Sequence, residues 1–353
     1  MRIVSVGRAL PPNRHTQAEV LAGLGAVWGD QPRVLERLTA LHANTGVRTR
    51  HFALPIADYT EERTFGETNR IWLETALELG QRAVLDALGR IGLGPQDIDL
   101  FLSTTITGIA CPSLDARLMN RLPFRTDCRR VPIFGLGCVA GAAGIARAAD
   151  HLRGFPDHAV LLLSVELCSL TFARRDRSMA QMVASGLFGD GAAAVVLLGE
   201  ERARRLGLAG PRVVASRSVF YPDTEDVMGW DIGERGFRVL LSPRVPELAR
   251  ERLVPDIQSF LAQQGVEKER IARWIAHPGG PKVLLALQEA LELEPDALAR
   301  SWDVLARVGN LSSASVLFIL REVLDAVPPP AGAPGLLFAM GPAFCSELVL
   351  LSW

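Results

Sequence analysis

Cys138 lies in "FGLGCVAGAAGIARAADHL", residues 134–152, inside a glycine turn between an apolar run and an alanine-rich helical stretch. Gly135, Gly137 and Gly141, spaced G-x-G-x-x-x-G, could bring backbone amides to a pyrophosphate at a helix N-terminus, as in a nicotinamide-dependent dehydrogenase. That chemistry also needs an acidic residue about 20 positions on for a ribose hydroxyl, and Glu166, which ends the next apolar run, lies farther away. A thiol would crowd the phosphates, yet it suits a nucleophile, because the positive end of a helix and a neighbouring imidazolium both favour thiolate. An inert packed thiol is the third reading, since free cysteine is among the most often buried residues.

A nucleophile needs a base. Among six histidines, His151 lies several turns along the same helix and His158 in the polar turn "FPDHA". His277 instead ends the apolar run "RWIAH" and is followed by "PGGP", a loop where backbone can approach a ligand closely. Asn310, in "RVGNLSSAS", precedes a helix start rich in hydroxyls; it could cap that helix, or its amide could donate to an oxyanion. Cys138, His277 and Asn310 thus form a possible acyl-transfer set.

The elements that would hold these residues are read from pattern. Thr16-Gln-Ala-Glu19 is a capping box that opens a first helix, and "IWLETALELGQRAVLDALGRIGL" is a longer amphipathic helix. "IDLFLSTTI", "RRVPIF", "HAVLLLSVE" and "AAAVVLLG" read as strands, several separated by helical stretches, which predicts a mainly parallel α/β sheet covered on both faces. The charged, then Gly/Pro-bearing "EERARRLGLAGPR" marks a crossover between halves 1–205 and 206–353. The second half reads with fewer strands: "RWIAH", "GLLFAM" and "SELVLLSW", with helices "GPKVLLALQEAL" and "SSASVLFILREVLDAV". No repeat is visible as letter identity.

Composition limits the partners. A chain of 353 residues with 48% hydrophobic and 22% charged side chains implies about two folded domains and an oligomer. A formal net charge of −1 excludes a whole-protein field for nucleic acid, so an anionic ligand must meet local cations. Five cysteines with no C-x-x-C indicate neither a disulfide framework nor a structural metal. No apolar run is long enough for a membrane span and the start lacks a secretory pattern, so a cytoplasmic protein is expected.

"GLGCVAG", "LFGDGAAAVV" (187–196), "WIAHPGGPK" (274–282), "GNLSSAS" (309–315) and "MGPAFCSE" (340–347), in this order, resemble the type III polyketide synthases, the chalcone-synthase-like branch of the thiolase fold. "VELCSLTF" and "GVRTRHFALP" are most similar to the bacterial alkylresorcinol and alkylpyrone synthases. The resemblance implies a homodimer whose two similar halves form a five-layered α/β/α/β/α core, with coenzyme A thioesters as substrates and no other cofactor or metal. Cys138 would carry the starter acyl group; His277 would stabilise its thiolate and, with Asn310, hold malonyl-CoA during decarboxylation. Phe188 and Phe237 match a gatekeeping aromatic pair between tunnel and cavity. The cavity would take in Ile106, Glu166, Cys168, Thr171, Met228 and Ser312, and Cys111 stands where a methionine of plant members projects into the partner's cavity. Ile106 lacks the hydroxyl of the family's water-activating network, whereas Glu166 and Ser312 keep polar groups for it. Arg48, Arg50, Gly279, Gly280 and Lys282 would meet coenzyme A. The implied activity is iterative condensation of malonyl-CoA onto a medium- or long-chain acyl-CoA, closing to alkylpyrones or alkylresorcinols. A ketoacyl carrier-protein synthase of the same fold is the nearest alternative.

Overall fold

The apolar runs at 159–167 and 190–198 are buried at every position, as strands covered on both faces must be. Around them the computed structural model describes residues 1–29 and 32–353. In chain order it runs β1 (Arg2–Ala9), β2 (Asn13–Thr16), α1 (Gln17–Trp28), α2 (Pro32–Ala43), β3 (Thr49–Phe52), α3 (Phe65–Gly89), β4 (Leu100–Thr105), α4 (Leu114–Met119), β5 (Arg129–Phe134), α5 (Ala140–Gly154), β6 (Ala159–Leu167), α6 (Met179–Leu187), β7 (Asp190–Leu198) and α7 (Glu200–Leu206). The second part runs β8 (Arg212–Phe220), β9 (Met228–Gly233), β10 (Gly236–Leu241), α8 (Val245–Leu248), α9 (Val254–Gln263), β11 (Arg273–Ala276), α10 (Pro281–Ala290), α11 (Ala299–Val308), α12 (Ser315–Asp325), β12 (Pro334–Gly341) and β13 (Cys345–Ser352).

Two half-sheets, β5-β4-β6-β7-β1 and β8-β13-β12-β11, meet where Arg2 pairs with Arg212. Their wiring repeats. β1 lies antiparallel to β7, β7 antiparallel to β6, and β6 parallel to β4; β8, β13, β12 and β11 follow the same order and directions. The duplication hidden in the letters is therefore plain in the topology. It also corrects the expectation of a mainly parallel sheet, because β7 and β13 each return antiparallel to the strand before them.

The thiolase fold's five layers follow from which faces are apolar. Leu161 and Leu163 of β6 face outward onto α3, while Val160 and Leu162 face inward onto α5 and α12. In the second half Leu337 and Ala339 face that same helix pair, and Leu336 and Phe338 face outward onto α9 and α10. The buried helix α5 is rich in Ala and Gly because little room remains between the half-sheets. A Cβ on Gly141 would stand 2.3 Å from the Ser313 carbonyl oxygen, and one on Gly144 2.5 Å from Leu162.

The sequence reading misses four sets of strands, the first being the short, largely polar β2–β3 pair. β1 has apolar residues in no clean alternation; β8 carries Arg and Ser on a partly solvent-facing side; and the β9–β10 hairpin is mostly polar. The crossover segment starts as α7 and stops at Gly207, whose φ of +64° suits only a left-handed helix end.

Candidate active site

The duplication places the N-termini of α5 and α12 in equivalent positions, side by side. Cys138 sits in the single 3-10 turn (Gly137–Val139) that leads into α5. Asn310 and Ser312 sit in the turn that leads into α12. His277 directly follows β11, as Ile106 directly follows the equivalent strand β4. Ile106, Cys138, Met228, His277, Asn310 and Ser312 all line one cavity of about 60 Å³. Three side chains remote in sequence thus share one wall.

The glycines serve this turn rather than a nucleotide. Gly135 and Gly137 hold φ of +96° and +53°, and Gly141 lets α5 touch the start of α12, which leaves no room for a pyrophosphate at that end. Cys138 keeps some accessible surface toward the cavity, and its Sγ lies 3.5 Å from Ser312 Oγ. Asn310 Oδ1 accepts from the Ser312 amide at 2.8 Å and from Ser315 Oγ at 3.3 Å. That pattern orients the side chain: Oδ1 caps the helix start, and Nδ2 is left as a donor without a protein acceptor among the described residues. Oδ1 is thus taken up within the turn, and Nδ2 is the end left to donate.

Electrostatics departs from the sequence expectation. Burial pushes the Cys138 thiol up to about 12, against a smaller opposing pull from the Ser312 hydroxyl. Burial alone takes His277 down to about 3, and its Nδ1 is buried with no hydrogen-bond partner among the described residues. Desolvation opposes charge on both groups, so burial favours thiol and neutral imidazole over thiolate and imidazolium.

Glu166 stands behind the cavity wall rather than on it. It accepts from the Ile106 amide at 3.1 Å and Thr107 Oγ1 at 3.0 Å, and also from Ser313 Oγ, which is 2.7 Å from Ser164 Oγ. Burial raises its carboxyl to about 7. The hydroxyls beside it are Thr105, Thr107 and Ser313; Ile106 offers only its backbone amide, and Ser312, expected to serve the same network, lies against Cys138 instead. A one-residue shift decides this, since neighbouring residues at a turn face opposite sides.

Phe188 lines the cavity, and its backbone forms a bridge with Asn310. The aromatic that faces it is Trp230, at 6.5 Å between ring centres, rather than Phe237. Phe237 stands behind Trp230, edge-on at 6.1 Å, and packs on Phe65. The only sequence signal for Trp230 was a lone tryptophan in a polar hairpin. Cys168 and Thr171 line a neighbouring, mostly apolar chamber of about 60 Å³ that shares Phe188 and Trp230 with the first and is also lined by Arg50 and by Val20, Leu24 and Val27 of α1. Cys111 is exposed and does not border the Cys138 cavity.

Of the residues expected to meet coenzyme A, Arg48 and Lys282 are exposed, Arg48 lying 3.9 Å from Asp303. Gly279 lines the cavity, and Gly280, at φ +145°, opens α10. Arg50 does not reach solvent: it is 1% exposed and its guanidinium is taken by carbonyls of α6, so it cannot meet a phosphate. The alternation of the β3 strand turns Arg50 inward where Thr49 turns out. No cluster of metal-ligating side chains exists among the described residues, and no described helix is long and apolar enough to cross a membrane.

Residues 1–201 match the N-terminal domain, and residues 212–352 the C-terminal domain, of the chalcone and stilbene synthases. A 1,3,6,8-tetrahydroxynaphthalene synthase of Streptomyces peucetius subsp. caesius is 51% identical over 99% of this chain and 93% of its own length. A putative chalcone synthase of Bacillus subtilis strain 168 is 35% identical over 99% of this chain and 98% of its own. The crystal structure of 1,3,6,8-tetrahydroxynaphthalene synthase from Streptomyces coelicolor A3(2), a bacterial type III polyketide synthase, superposes with a TM-score of 0.94 at 34% identity, covering 100% of this chain and 99% of the other. A cysteine turn, a strand-end histidine and an asparagine amide that share one wall, in a chain matched to these enzymes from end to end, have one common explanation: the protein belongs to the chalcone and stilbene synthase family and is a type III polyketide synthase, an acyltransferase acting on coenzyme A thioesters.

Proposed function

We propose that Cys138, His277 and Asn310 carry out decarboxylative condensation in the shared cavity, with the first half (1–205) supplying the nucleophile and the second (206–353) supplying imidazole and amide. Cys138 and His277 line the same cavity, and the neutral imidazole that burial favours is the form able to take the thiol proton as Sγ attacks. Sγ bonds to the carbonyl carbon of the incoming thioester, its proton passes to His277, and coenzyme A leaves as the thiol on taking a proton. The thioester oxygen of malonyl-CoA then accepts from Asn310 Nδ2 and His277; carbon dioxide departs and its bonding pair becomes the enolate those donors stabilise. The enolate carbon attacks the acyl-Cys138 carbonyl and the Cys138 sulfur leaves, so the chain grows by two carbons. Arg48, Lys282 and the Gly279–Gly280 turn are assigned to coenzyme A.

The product we favour is a polyhydroxylated aromatic of the tetrahydroxynaphthalene kind, and the 51% identity to a synthase of that name carries this reading. Such a ring system bears oxygen on alternate carbons of its folded chain, the pattern that repeated two-carbon extension leaves. The apolar chamber behind Phe188 and Trp230 favours a second reading, a medium- or long-chain acyl starter closing to an alkylpyrone or alkylresorcinol. Incubation with malonyl-CoA alone, then with a panel of acyl-CoA starters and no carrier protein, separates them by mass spectrometry of the products. A ten-carbon tetraol from malonyl-CoA alone supports the first; products that appear only with acyl-CoA and lengthen with it support the second. No product without a carrier protein overturns both.

We also propose a homodimer. The edge strand β5 has no partner on its outer side among the described residues, and Val131 and Phe134 on it are 44% and 52% exposed, a pairing template that monomers avoid. Five free cysteines suit a reducing compartment, and a cytoplasmic location is part of the same proposal.

A further inference from the structure

An α-helix ends with its last carbonyls unsatisfied, to be met by water or by capping groups. At the C-terminus of α6 four consecutive carbonyls are instead met from inside the protein. Arg50 Nη1 donates to Ser185 O at 2.7 Å and to Phe188 O at 2.9 Å. Gln17 Nε2 donates to Gly186 O at 2.8 Å, and the Asn310 amide to Leu187 O at 2.9 Å. Arg50 Nη2 donates to Gln17 Oε1 at 2.6 Å, which ties the two clamping side chains together. The Gly189 amide then donates back to Asn310 O at 3.0 Å, so Phe188 and Asn310 are zipped along their backbones.

The stem of Arg50 is part of the same arrangement. A Cβ on Gly309 would stand 3.0 Å from Arg50 Cγ and Cδ and 2.7 Å from Leu187 O, so the turn before Asn310 rests directly on the arginine. Burial lowers the Arg50 guanidinium to about 9, and Asp190 nearby favours its charged form. A guanidinium is suited to this post because one rigid fork holds two carbonyls and a side-chain amide at once, whereas an ammonium is a single point of charge.

We propose that Arg50, clamped by Gln17, is a positioning residue for the condensation: it fixes the Phe188 turn and, through the Phe188–Asn310 bridge, sets where the Asn310 amide stands in the cavity. The inference rests on the role given above to Asn310. A misplacement of about 1 Å in a catalytic group can lower a rate up to about a hundredfold, so the clamp acts on turnover rather than on substrate affinity.

The test compares Arg50→Lys and Gln17→Leu with the unchanged protein, reading carbon dioxide release from malonyl-CoA per site that accepts a labelled acyl group on Cys138. Both variants should lose about tenfold or more in kcat per labelled site, with KM for malonyl-CoA within about twofold. Combining either with Asn310→Ala should add no further loss, because both act through one amide. Unchanged kcat per labelled site, with only a lower Tm, overturns the proposal, as does a fully additive loss in the combined variant. Gln17→Leu leaves the buried charge in place and decides the matter if Arg50→Lys does not fold. Should Asn310→Ala alone leave decarboxylation intact, the role assigned to Asn310 fails, an outcome read separately from the clamp.

Discussion

At Cys138 a helix terminus and a dry cavity act on one thiol in opposite directions, and burial wins. The shift to about 12 means that the thiolate fraction is small at neutral pH and grows with every unit of pH up to that value. His277, taken down to about 3, supplies no positive charge across the same range. Alkylation of Cys138 by iodoacetamide in the free enzyme, followed on its own peptide by mass spectrometry, should therefore rise about tenfold per pH unit between pH 6 and 9. A rate that is flat across that range would show a stable thiolate–imidazolium pair and refute the neutral resting state. The candidate trio was legible from residue type and spacing, because a thiol in a glycine turn, a histidine before a rigid loop and an asparagine before a helix each carry a local signal. Arg50 was not, since an arginine near a turn reads as a cation for a ligand until the strand register shows which way it points.

At the scale of elements, the site depends on how closely two helices approach. Gly141 of α5 lies against the carbonyl of Ser313, where an added methyl group would need the helices to part. Gly141→Ala should lower stability by about 1–3 kcal/mol, checked by urea denaturation, and should lower activity by more than it lowers the folded fraction, because Cys138 and Asn310 stand on the two helices that move. Equal losses would mean that the spacing matters for folding alone. The strands buried on both faces were legible as unbroken apolar runs, and β5 was read to its final bounds. The directions were not: parallel and antiparallel central strands bury the same side chains, so hydrophobicity cannot tell β7 from a parallel neighbour. Trp230 carries no local signal for a related reason, since its hairpin is polar in sequence and gains its meaning only by lying over Phe188.

For the whole molecule, an unpartnered β5 leaves a row of backbone donors and acceptors flanked by Val131 and Phe134 at the edge of the large sheet. Val131→Lys should convert the proposed dimer to a monomer, with mass measured by light scattering, because a buried charge facing its own copy is repelled. A variant that keeps the mass of the parent would place the interface elsewhere. The wiring repeated between the half-sheets also accounts for the site: equivalent ends of α5 and α12, and of β4 and β11, converge on one side of the core, so a duplicated chain supplies thiol and amide from matching positions.

Local pattern was enough to determine the apolar strands, the capping box at Thr16, the turn that holds Cys138 and a set of residue types that could transfer an acyl group, since each depends on neighbours within a few positions. Tertiary structure alone decided which hydroxyls face Glu166, which aromatic faces Phe188, that Arg50 serves carbonyls instead of phosphate, and that burial pushes the Cys138 thiol up. Those outcomes turn on side-chain direction and on burial, and both are set by contacts between segments from about 40 to more than 170 residues apart.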